Sequence, residues 1–111
     1  MDFSESSYPG GNILVAKGRI DSATAAEFEK KVMTTLEQTD QAVIVDLAGV
    51  GYISSAGLRV VLMAAKRCNA ARRGFALCGL NDNVREVFRM SGFDRILTIT
   101  DDQQQAQDRL G

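Results

Sequence analysis

Apolar residues along the chain fall into runs of two kinds. Short, nearly continuous runs rich in β-formers stand at Ile13-Leu14-Val15-Ala16, between Gln41 and Leu47, at Phe75-Ala76-Leu77-Cys78 and at Ile96-Leu97-Thr98-Ile99. Their length and density suit strands, and the 41–47 run suits a strand covered on both faces. Between them apolar residues recur every three or four positions, the spacing of one helical face. Ala25, Phe28, Val32 and Leu36 mark a first helix running to about Gln38. Leu58, Val61, Leu62, Ala65 and Cys68 mark a second, and Val84, Val87 and Phe88 a third.

Punctuation between the runs refines these elements. Residues 3–8 alternate weakly, and Pro9-Gly10-Gly11-Asn12 then predicts a hairpin into the run at Ile13. Thr24 and Glu27 stand three apart, as a capping box requires. Gly49 and Gly51 predict a loop over residues 48–54, after which Ser54 and Ser55 fall at the start of the second helix. Arg67, Arg72, Arg73 and Gly74 supply the positive charge and stop expected at its end, and read as a solvated helix end. Asn81 caps the third helix and Gly92 stops it. A polar segment from Asp102 to Leu110, with Ala106 and Leu110 as its stripe and Thr100 or Asp101 as its cap, predicts a fourth.

Strands alternating with helices from residue 41 onward imply an α/β fold: a mixed sheet of four to five strands with about four helices. One domain over residues 1–111, with its core over about 12–110, accommodates all of it. In such sheets the loops beyond the carboxyl ends of the strands carry function, and the stretch 48–54 is one of these.

Composition mainly removes possibilities. Thirteen basic and fourteen acidic residues give a formal net charge of −1, which supplies no field for gathering nucleic acid or anionic membrane. No run approaches the ~20 apolar residues that span a bilayer, and Met1-Asp2-Phe3-Ser4-Glu5-Ser6 does not read as a signal peptide. A cytoplasmic protein without direct membrane insertion is expected. The chain has no histidine, so the commonest general base and metal ligand is missing. Cys68 and Cys78 match no two-cysteine metal or redox spacing and read as core thiols in a reducing compartment. No phosphate-cradling G-x-x-x-x-G-K-[ST] occurs; neither cofactor nor metal is expected.

Candidate chemistry concentrates at Ser54 and Ser55, where three roles compete. Either serine can cap the helix, a contribution of about 0.5–2 kcal/mol. A strand, a sharp turn, a serine and a helix also describe a nucleophile elbow, but residues 53–57 are Ile-Ser-Ser-Ala-Gly, which lacks the first glycine of G-x-S-x-G. No histidine is available as base, and Lys66 lies about three helical turns away. The third role is a phosphorylation site on a protein-binding surface, since a helix start tolerates added negative charge. Asp46 is placed to hold the following loop through backbone hydrogen bonds.

Asp46-Leu47 and Tyr52-Ile53-Ser54-Ser55-Ala56-Gly57-Leu58, with Gly18-Arg19-Ile20-Asp21 upstream and Val84-Arg85-Glu86-Val87-Phe88-Arg89-Met90-Ser91-Gly92-Phe93 downstream, resemble the STAS domain of bacterial anti-sigma-factor antagonists. The resemblance runs from about Ile13 to Leu110 with the motifs in family order. It implies a non-enzymatic partner-switching protein. Unphosphorylated, such a protein binds an anti-sigma factor that is also a serine kinase; phosphorylation ends the binding, and a serine phosphatase resets it. The family's phosphoserine falls on Ser55. Many antagonists carry aspartate just before it, whereas this chain has Ser54, the second candidate for modification. The partner surface implied is Asp21, Ser22, Ser54, Ser55, Ala56, Gly57, Leu58 and Arg59. STAS domains also serve lipid-transport ABC systems as small accessory subunits, and that is the alternative role.

Overall fold

The computed structural model describes residues 1–110. Its elements in chain order are β1 (Asp2–Tyr8), β2 (Gly11–Ile20), α1 (Ala25–Glu37), β3 (Ala42–Ile53), α2 (Ser55–Ala70), β4 (Phe75–Cys78), α3 (Asp82–Ser91), a 3-10 turn (Phe93–Arg95), β5 (Thr98–Thr100) and α4 (Gln103–Leu110). The five strands form one sheet in the order β1-β2-β3-β4-β5. β1 pairs antiparallel with β2 through the predicted hairpin, and every other pair is parallel. The expected mixed α/β sheet with four helices is therefore what forms.

Three successive crossovers step the same way along the sheet. With the usual right-handed connection they place α1, α2 and α3 on one face. The alternation of β3 shows this directly: Val43, Val45 and Leu47 pack with Phe28, Val61, Val84 and Phe88 of the three helices. Ile44, between them in sequence, points the other way and packs with Ile13, Ala76, Cys78 and Ala106 of α4. One strand thus serves two cores, which explains its near-continuous apolar sequence. Both cysteines are buried free thiols. Burial, helped by the nearby Asp46 and Asp102 carboxylates, pushes the Cys78 thiol up to about 12, so it stays protonated and inert at neutral pH.

Four local expectations are corrected. Residues 48–53 of the expected 48–54 loop are strand, because β2 continues to Ile20 and pairs with them: Lys17 with Gly49, Gly18 with Val50, Arg19 with Tyr52, Ile20 with Ile53. Gly18 has φ 121° beside one of the two register shifts, a conformation closed to most L-residues. The capping box at Thr24 does not form. Thr24 has near-helical dihedrals; its hydroxyl donates to the Arg19 carbonyl at 2.6 Å and accepts from the Asp21 N–H at 2.9 Å. Glu27 instead meets the Met1 amine at 3.1 Å.

At the end of α2, the left-handed residue is Arg72, with φ 58°, rather than Gly74. Arg73 is no solvated helix end either: its Nε and Nη2 donate to the carbonyls of Gln41 and Thr39 at 2.9 and 2.7 Å. Finally, α4 is capped by neither Thr100 nor Asp101. Asp102 accepts the Gln105 N–H at 2.8 Å, and the Thr100 hydroxyl supports it by donating to the Asp102 carbonyl at 2.9 Å. The expected caps at Asn81 and Gly92 form as predicted, with Asn81 accepting the Val84 N–H and Gly92 left-handed at φ 78°.

Candidate functional site

The carboxyl ends of the adjacent parallel strands β2 and β3 bring two sequence-distant loops together. The Ser54 N–H donates to the Ile20 carbonyl at 2.7 Å, so the start of α2 is bonded to the last residue of β2. Gly57 sits beneath this bond. A Cβ there would lie 2.5 Å from Ile20 Cγ2 and 2.8 Å from Ile53 Cγ1, so the helix reaches the sheet this closely only with glycine at that position.

The two serines divide their work. Ser54 is extended (φ −87°, ψ 172°), and its hydroxyl accepts the Gly57 N–H at 3.2 Å, the geometry of an N-cap. Ser55 is the first helical residue and is exposed. The first turn of α2 carries no acidic side chain, so its partial positive charge is uncompensated. Replacing Ser54 by alanine should therefore cost about 1 kcal/mol, a drop in Tm of about 4–8 °C. Ser55→Ala should leave the melting curve nearly in place, and equal losses in the two variants would mean that both hydroxyls are structural.

Asp21 organises the neighbouring loop. Its Oδ1 accepts the N–H groups of Ala23 at 2.9 Å and Thr24 at 3.1 Å, and the Arg19 Nε lies 3.8 Å from its Oδ2. The hydrogen bond from Ala23, followed by those from Thr24 and the charge of Arg19, holds its carboxyl below the usual carboxylate range. It is ionised at neutral pH, and any contribution it makes to stability is lost only as pH falls through its lowered folded pKa. Ser22, next to it, is exposed.

The remaining residues of the implied surface separate by depth. Arg59 is exposed and Ala56 partly so, whereas Gly57 and Leu58 are buried, Leu58 within the main core. A partner can therefore touch Asp21, Ser22, Ser54, Ser55, Ala56 and Arg59, while Gly57 and Leu58 shape the surface from below.

Three contacts at this end were not anticipated from sequence: Arg19 on Tyr52, Asn81 to Val50 and Gln103 to Asp46. Arg19 stacks its guanidinium 4.4 Å from the Tyr52 ring centroid, an exposed cation–π pair created by the β2–β3 register. Asn81 donates from Nδ2 to the Val50 carbonyl at 2.9 Å while capping α3, so the third strand–helix loop is tied to the same edge of β3. Asp46 holds the Ala48 N–H at 2.9 Å, as expected, and also accepts from Gln103 Nε2 at 2.7 Å, which docks α4 from the other face. Among the described residues no helix is long and apolar enough to cross a membrane.

The model of the STAS domain family matches residues 7–106. A Bordetella bronchiseptica protein named as an anti-sigma factor antagonist, BtrV, is 37% identical over 94 residues, which cover 85% of this chain and 81% of that protein. The crystal structure of a protein described as an anti-sigma factor antagonist of Thermotoga maritima matches with a TM-score of 0.90 at 25% identity, over 97% of this chain and 93% of that one. The Bacillus cell fate determinant SpoIIAA, solved in its phosphorylated form, shares the fold with a TM-score of 0.73 at 19% identity, over 99% of this chain and 100% of that one.

Proposed function

The chain belongs to the STAS domain family, and on that premise we propose that it is an anti-sigma-factor antagonist that switches partners through phosphorylation of Ser55. In its unphosphorylated form it binds an anti-sigma factor that is also a serine kinase, and the sigma factor is released. Transfer of a phosphoryl group to the Ser55 hydroxyl ends that binding, and a serine phosphatase restores it. The protein is a ligand and a substrate rather than an enzyme. It acts in the cytoplasm, where its partners are.

The observation that carries this reading is the division between the two serines. Ser54 spends its hydroxyl on the helix cap, which leaves the exposed Ser55 at a helix start with no acidic neighbour in its first turn. A phosphate there brings roughly −1.5 to −2 charges, which the helix tolerates or gains from by about 0.3–1 kcal/mol. The fold survives the modification while the rim it shares with the ionised Asp21 gains that negative charge. A partner surface matched to a neutral hydroxyl then meets like charge or an unpaired, desolvated phosphate. The 37% identical relative named as an antagonist favours this role over that of a lipid-transport accessory subunit.

The direct test is incubation with the cognate anti-sigma kinase and ATP, followed by mapping of the modified residue. Phosphate on Ser55 alone is expected, and Ser54→Ala should still be modified. Phosphate on Ser54 alone would relocate the switch, and none on either serine would end the reading.

A further inference from the structure

The opposite end of α2 presents a different kind of surface. A groove of about 400 Å³ lies between the C-terminal half of α2 and the beginnings of β4 and β5. Leu62 and Ala65 form its helical wall, and both stay only half-buried although they lie on the apolar stripe of α2. The reason is architectural. α2 has sixteen residues and α3 only ten, so the chain turns back to β5 through the 3-10 turn before α3 has covered the full length of its neighbour. Phe75 and Leu97 line the groove further, and Ile96 stands at it 70% exposed. Ile96 belongs to a run predicted as strand, but β5 begins only at Thr98.

The charged residues lining the groove are of one sign. Lys66 and Arg73 line it and no acidic residue does. Among the described residues neither forms a salt bridge. Arg73 is also held in place, because its Nε and Nη2 are bonded to the Gln41 and Thr39 carbonyls; these neutral acceptors orient the guanidinium without cancelling its charge. Apolar walls beside positive charge that no described residue neutralises, one of the two cations being held in place, match a ligand with an apolar body and an anionic end. A volume of about 400 Å³ falls within the ~300–1,000 Å³ of small-ligand sites.

We propose that this groove binds a monomeric amphiphilic carboxylate, its apolar chain against Leu62, Ala65 and Leu97 and its head group at Lys66 and Arg73. The site is independent of the phosphorylation switch. Ser55 and Lys66 are eleven residues apart in one helix, about 16 Å at 1.5 Å per residue.

Titration of the intact protein with decanoate, followed through its amide resonances, tests this. Saturable shifts are expected at Leu62, Ala65, Lys66, Ile96 and Leu97. Decanol, which keeps the chain but not the charge, should bind about tenfold more weakly. Lys66→Gln should weaken decanoate by a similar factor and leave decanol unchanged, Lys66→Arg should restore it, and Ile96→Gln should weaken both ligands. Melting curves confirm that these surface variants are folded. Ser55→Asp should bind decanoate like the parent protein, so failure here and failure of the phospho-switch can be told apart. Equal affinity for decanol, indifference to Lys66→Gln, or binding only to phosphatidylglycerol vesicles and not to free decanoate would each overturn the proposal.

Discussion

Ser55→Asp is expected to weaken binding of the anti-sigma kinase at least about tenfold, ~1.4 kcal/mol, while Tm stays within a few degrees of the parent value. Both halves follow from where Ser55 stands. It is the first residue of α2, exposed, and relieved of capping by Ser54. Aspartate in a first turn interacts favourably with the helix dipole by about 0.3–1 kcal/mol, so the folded state loses nothing. The binding loss should arise only in the complex, where the proposed switch would strip a charge that water had solvated and set it against a surface shaped for a hydroxyl. A charge left buried and unpaired at an interface costs about 2–5 kcal/mol, and aspartate, carrying less charge than phosphate, should fall at or below the low end. Ser55→Ala separates charge from loss of the hydroxyl: it should bind nearly normally and resist the kinase. Calorimetric titration of the three proteins gives the comparison. An unfolded Ser55→Asp would make the serine a structural residue, and unchanged affinity would remove Ser55 from the interface.

The way this region was legible in sequence, and the way it was not, have physical causes. Apolar periodicity located all four helices, because each buries one stripe on a sheet and the stripe is local. The caps at Asn81 and Gly92 were equally readable, since each uses only its own few residues. Ser54 and Ser55 could not be told apart, because both are serine and either suits a cap; the extended backbone at Ser54, bonded through its N–H to Ile20, settles which one caps the helix. That bond, like the Arg19–Tyr52 stack, depends on a parallel register between segments some thirty residues apart. Register also explains the missed half of β3: Gly49 and Gly51 lower the local tendency to form strand, and the pairing with β2 overrides it. The groove beside Ile96 depends on how far α3 reaches, which no local pattern encodes. Gly57 and Leu58, adjacent in the family motif to exposed residues, prove to be buried.

Gly57→Val should be the most damaging single change at this end of the molecule, lowering stability by about 2–3 kcal/mol and Tm by roughly 10–20 °C. A residue inside a helix gains close to 1 kcal/mol when glycine gives way to alanine in an open position, so propensity argues the other way. Packing decides against it. The first carbon added would meet Ile20 Cγ2 at 2.5 Å and Ile53 Cγ1 at 2.8 Å, and both side chains are themselves buried, at 0% and 2% exposure. Side chains in a close-packed interior have little room to retreat, and a branched side chain compounds the clash. Relief must come from lifting the start of α2 off the sheet, which strains the 2.7 Å bond from Ser54 to Ile20 and moves Ser55 away from the Asp21 loop. The damage should therefore appear twice, as a lower Tm and as weaker kinase binding measured below it. Gly51→Ala is the control, since nothing lies within 4 Å of a Cβ at that position. It should cost nothing in either assay, and a comparable loss there would mean that the β2–β3 junction, rather than the Gly57 contact, sets the geometry of the site.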